Sequence, residues 1–202
     1  MLRYSILVLL IVTPFLISWL DNEHKTNFNA KTFIPDTAVN GIALLHWKSV
    51  IQHFEEDTDF VSKRLLRHKD LDFPYADFTN TDETERLQLF THPGYGLHEF
   101  AIAEIRVKSA AEMPCRGCVK FPDNQYKTAR GIQLGITETE LLKILGEPRD
   151  KSTYKDALIY NYWLTINESP RFLSRYNHEK WFGDYYFKNG RLTQIHLGFD
   201  TY

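Results

Sequence analysis

The segment GIQLGITETELLKILGEP at residues 131–148 constrains the fold most, because it spells a tight loop, a short capped helix and a stop. Thr137 is placed as an N-cap, and Glu140 three residues on completes a capping box. In that arrangement the hydroxyl satisfies one free helix N–H and the carboxylate reaches back to another. Leu141, Leu142, Ile144 and Leu145 supply an apolar stripe. Gly146 suits the left-handed conformation just past a helix, and Pro148 blocks continuation. A helix of about two turns is marginal alone in water, so packing against the strand-like text that follows must hold it. A weaker echo begins at Gly41-Ile42-Ala43-Leu44. Gly41 aligns with Gly131 and, after a one-residue shift, Val50, Ile51 and Phe54 align with Leu141, Leu142 and Leu145. The expectation is two related modules.

Residues 4–20 form an uncharged, apolar run preceded by Arg3 and followed by Asp21, Glu23 and Lys25. As a helix it would reach about 26 Å, slightly short of a hydrocarbon core. Residues 1–20 therefore read as a signal peptide or a membrane anchor. Trp19 and Leu20 make a poor cleavage site, which weighs toward an anchor. Arg3 on the short side keeps the N-terminus in the cytoplasm and exports the rest. The expected location is the inner membrane facing the periplasm, or periplasmic or secreted if the leader is cleaved. With a formal net charge of −2, nothing favours nucleic acid or an anionic membrane surface as a partner.

Residues 21–32, polar and containing Asn22, Asn27 and Asn29, read as a linker. A first module, 33–108, carries helical patterns at 47–56 and 60–68 and strand patterns at 86–91 and 98–107, with a turn at 92–96. Residues 109–127 contain Pro114, Gly117, Pro122 and the cysteine pair, and read as a connector. The second module, 128–202, follows its capped helix with a strand at 158–166, a polar loop at 167–180, and strands at 181–187 and 191–199. Asn189-Gly190 is the strongest hairpin signal in the chain. A two-residue turn and a glycine-bulge turn would point opposite side chains inward, and both remain open. The expected fold class is α+β: short helices packed on antiparallel sheet, in two tandem related modules after an N-terminal apolar helix.

Through Gly131, Gly135, Thr137, Glu140, Leu145, Gly146 and Pro148, with Tyr160-Asn161-Tyr162 and residues 186–192, the second half resembles the BamE (SmpA/OmlA) type of envelope module and the β-lactamase-inhibitor-protein-like fold. The resemblance covers roughly residues 131–197. It implies short helices laid on an antiparallel sheet and a non-enzymatic role in protein binding or assembly. A lipidation cysteine is missing, and the shared motif is structural, so no functional residue carries over.

Cys115 and Cys118 are the only cysteines. In an exported chain their spacing predicts a structural disulfide. A redox centre would normally open a helix that stabilises the thiolate, and Val119-Lys120-Phe121-Pro122 offers little helix. Zinc needs two further ligands, and only His92 and His98 lie near along the chain. His46 and His53 have helical spacing and His196 falls in the last strand; lone histidines of this kind are ordinarily packed or solvated. No hydrolase signature appears, and Glu55, Glu56, Asp57 and Asp59 lack the calcium-loop spacing. The sequence thus assigns no catalytic residue, no metal and no cofactor. Aromatic residues make up 14% of the chain, and Tyr160, Tyr162, Tyr185 and Tyr186 form the candidate binding face for an envelope protein. The alternatives are a thiol–disulfide redox protein centred on Cys115 and Cys118, and an inhibitor or immunity-type protein that blocks an envelope enzyme through loops such as 92–96.

Overall fold

The computed structural model of the chain describes residues 27–46, 66–67, 74–91, 100–107 and 118–200. The described elements run β1 (Ala38–Val39), β2 (Ile42–Ala43), β3 (Leu66–Arg67), β4 (Pro74–Thr79), β5 (Glu85–Thr91), β6 (Phe100–Val107) and β7 (Val119–Lys120). They continue with α1 (Glu138–Leu145), β8 (Asp150–Tyr154), β9 (Ala157–Thr165), α2 (Pro170–Tyr176), β10 (Lys180–Lys188) and β11 (Arg191–Asp200).

One sheet dominates, in the order β3-β4-β5-β6-β11-β10-β9-β8, with β7 added parallel to β4 and every other pair antiparallel. The expected α+β class is therefore corrected to a predominantly β fold. The two described helices do not form a layer. They contribute only Leu141, Leu145 and Leu173 to the fully packed interior, which is otherwise built from strand residues, the 27–46 segment and the loop residues Phe121, Tyr126, Ile132 and Leu134. One sheet runs through residues 33–108 and 128–202, because β6 and β11 pair in register from Ile102–Gly198 to Arg106–Gln194. The apolar run at 4–20 and the helical pattern at 47–56 lie outside the described residues. Among the described residues, no helix is long and apolar enough to cross a membrane.

The strand order is palindromic, and a 90-residue offset relates several positions in its two halves. Gly41 and Gly131 both hold a positive φ, at 82° and 79°. Leu45 and Gly135 do the same, at 55° and 87°. Ile105 and Ile195, separated by the same offset, face each other at the centre of the sheet. Leucine accepts the left-handed conformation at a cost that glycine avoids, so the second of these positions carries no glycine in the first half.

Local chemistry explains most elements. The Thr137 hydroxyl accepts from the Glu140 N–H at 3.3 Å, and the Glu140 carboxylate accepts from the Thr137 N–H at 2.7 Å, so the capping box is present. Gly146 ends α1 with φ 78°. Asn189 and Gly190 take φ 51° and 71° and join Lys188 directly to Arg191. The turn is thus the two-residue one, and the register shift sits further back, between Tyr186 and Phe187.

Three further expectations are corrected. Within the helical pattern at 60–68, Leu66–Arg67 is a strand paired to Pro74 and Tyr75. Cross-strand pairing at these two residues overrides the helical spacing. The loop expected at 167–180 contains α2, whose first position is Pro170, where a missing N–H costs nothing. The described end of the 109–127 connector is core: Phe121 and Tyr126 are fully buried with ring centroids 5.7 Å apart. The Glu85 carboxylate accepts from the Tyr126 N–H at 2.8 Å, anchoring that segment to β5.

Candidate functional site

Alternation along a strand sends successive side chains to opposite faces. Tyr160, Tyr162 and Leu164 of β9 share the core face with Trp181, Tyr185 and Phe187 of β10 and with Ile195, Leu197 and Phe199 of β11. Phe33 stacks on Tyr162 at 5.5 Å, and Tyr162 meets Tyr185 edge-on at 5.6 Å. Of the four candidate tyrosines, Tyr160, Tyr162 and Tyr185 are therefore buried. Two of them hold the short helix in place. The Tyr160 hydroxyl donates to Glu138 Oε2 at 2.6 Å at the start of α1, and the Tyr162 hydroxyl donates to the Gly146 carbonyl at 2.8 Å at its end. Only Tyr186 lies on the opposite, outer face, half-buried.

Asp36 is a fully buried carboxyl under this core. Burial pushes its pKa up, and bonds from the Thr128 side chain and the Arg130 backbone only partly offset that. A raised folded-state pKa means stability is fully present below the unfolded value of about 4 and is lost as pH rises through the folded one. Asp36→Asn, which cannot ionise, is expected to gain on the wild-type protein in melting temperature as pH is raised from about 4 toward neutral. Thermal melts of both proteins across that range check the sign.

The outer face is ordered in rows, because side chains in lateral register on neighbouring strands point the same way. Asp150, Asn161, Asp184, His196, Glu104, Gln88 and Asp77 form one polar row across seven strands. Beside it runs a largely apolar row of Trp163, Phe182, Gly198, Ile102, Phe90 and Tyr75. On the other side run Ile159, Tyr186, Gln194, Arg106, Arg86 and Thr79.

The polar row is tied together locally. The Ser152 hydroxyl donates to Asn161 Oδ1 at 2.9 Å, and Asn161 Nδ2 donates to Asp184 Oδ1 at 2.9 Å. Arg106 lies 3.5 Å from Glu104. Arg86 makes a two-pronged pair with Asp77, one contact being Nε to Oδ1 at 2.7 Å. His196 packs edge-on against Phe182 at 5.0 Å. Burial lowers its pKa, against the opposing pull of Glu104 and Asp184. Where β8, β9, β10 and β11 meet, the face dips into a depression of about 480 Å³, walled by Trp163, Phe182, Asp150, Asp184, Asp200 and Lys180.

The other sequence candidates do not join this site. Cys118 is half-buried just before β7 and is not a free thiol; Cys115 lies outside the described residues, as do His53, His92 and His98. His46, exposed, ends the 27–46 segment and is not one of the strand residues of the polar row. Among the described residues no group of three His, Cys, Asp or Glu side chains is placed to hold a metal ion.

Sequence reading passed over Asn161, Trp163, Phe182 and Asp184. The signal was present, since Asn161 and Trp163 interleave with Tyr160, Tyr162 and Leu164. Choosing the face needed knowledge of which side the helix and the 27–46 segment cover. Comparison with family models, with curated proteins and with solved structures finds no match to this chain.

Proposed function

We propose that the protein is a non-catalytic, exported binding protein of the cell envelope, and that its partner is another protein docked on the outer sheet face at the β8–β11 end. One observation carries this reading: Trp163 and Phe182 stand side by side and half-buried on a rigid sheet, next to polar groups already fixed by Ser152 and Asn161. Large aromatic anchors on a preorganised surface, flanked by oriented polar atoms, are what protein-binding hot spots are made of. The apolar run at 4–20 supports export, and the BamE-like text at 131–148 supports an assembly or binding role over a chemical one.

The test is a photo-crosslinking residue introduced at Phe182 in the full chain expressed in its host, with the exposed β8–β9 turn residue Asp156 as control. A discrete crosslinked product from position 182, absent from position 156, is expected in the envelope fraction. Recovery of the chain in the cytosolic fraction, or identical products from both positions, would defeat the reading.

A further inference from the structure

We infer that the partner presents a basic side chain, lysine or arginine, to the depression at the β8–β11 end; this rests on the docking reading above and specifies its chemistry. Charge on the outer face is unevenly compensated. Toward β4 the carboxylates have their own cations, Glu104 beside Arg106 and Asp77 beside Arg86. Toward β8 they do not. Asp150 and Asp200 have no hydrogen-bonding or ionic partner among the described residues, and Asp184 is held only through Oδ1, by the Asn161 amide. Lys180 is the one cation in the wall of the depression, and among the described residues it forms no ion pair with Asp150, Asp184 or Asp200.

A partner that covered this surface with neutral or acidic groups would bury three carboxylates unpaired, which is strongly unfavourable. A basic side chain removes that penalty. Its alkyl stem would lie across Trp163 and Phe182, with the charged head over the carboxylates. Asp184 is preorganised for the contact, because the Ser152–Asn161 relay orients Oδ1 and leaves Oδ2 without a partner among the described residues. The carboxylates are spread around the rim of an opening of about 480 Å³. Among the described residues they do not converge as a metal site would require. An extended ammonium or guanidinium suits that spread better than a bare ion.

The test pans a displayed random-peptide library over the immobilised full chain, then measures the recovered peptides against Asp184→Asn, Asp150→Asn/Asp200→Asn and Trp163→Ala/Phe182→Ala. Expected are peptides with lysine or arginine next to an apolar residue, affinity lowered about ten-fold by Asp184→Asn, and binding to the wild-type chain that weakens as salt rises. If the aromatic pair is required but the carboxylate variants and salt have no effect, the docking face stands and the basic anchor falls. Should the aromatic variant bind as well as wild type, or no peptide be recovered above background, both fall. Circular dichroism of each variant identifies any that misfold, and the salt titration decides the charge question on the wild-type chain alone.

Discussion

Gly198→Ala is expected to destabilise the protein by about 3 kcal/mol, at the upper end of overpacking costs, lowering the melting temperature by about 6–12 °C for a chain of this size. Gly198 pairs with Ile102 across the β6–β11 seam. A Cβ there would stand 2.4 Å from the Ala101 carbonyl oxygen and 2.8 Å from the Ile102 Cα. Both are backbone atoms of a paired strand, so no flexible side chain can yield. Relief requires β6 to move away from β11, which opens the line along which the two halves of the sheet join. A thermal melt followed by far-ultraviolet circular dichroism reads the effect. A melting temperature within about 2 °C of wild type would mean that the seam adjusts freely and that the close approach matters little.

Trp181→Ala is expected to cost about 3–5 kcal/mol, the range for truncating a large buried aromatic. The indole is fully buried. Its Nε1 donates to the Asp36 carbonyl at 2.8 Å, and its ring lies 5.5 Å from Phe33, so it fastens the 27–46 segment to the sheet. Gly183, two residues along β10, leaves the room it occupies, since a Cβ there would come within 2.8 Å of the ring. Trp181→Phe keeps much of the apolar volume and leaves the Asp36 carbonyl without that donor. It should cost about 1–3 kcal/mol. Denaturant melts of the two variants separate packing from the hydrogen bond. In Trp181→Ala, limited proteolysis should cut within 27–46 at enzyme levels that leave wild type intact.

How far the text reached depends on which force fixes each element. The cap at Thr137, the stop at Gly146 and Pro148 and the place of the Asn189-Gly190 turn, though not its register, are settled within a few residues of chain, by backbone donors and positive φ, and they could be read directly. Strands β5, β6, β9, β10 and β11 announced themselves through alternation and aromatic content. Strand β8 did not: Asp150-Lys151-Ser152-Thr153-Tyr154 is a polar edge strand, held by pairing with β9 and not by burying a face. The docking face stayed hidden for a related reason. Tyr160 and Tyr162 look like exposed binding residues in one dimension, and what they touch is α1.

By itself the sequence determined the pieces whose cause is local: the capped helix, the tight hairpin, and strands with one apolar side. Only the tertiary structure decided that β6 and β11 zip two halves into one sheet, and therefore that the fold is predominantly β. It alone decided which side of β9 and β10 is covered, and so which aromatics are core and which remain for a partner. The physical reason is that alternation has a period of two and is blind to face. A strand carries the same pattern whichever side is buried, and the choice is made by what packs on it from elsewhere in the chain.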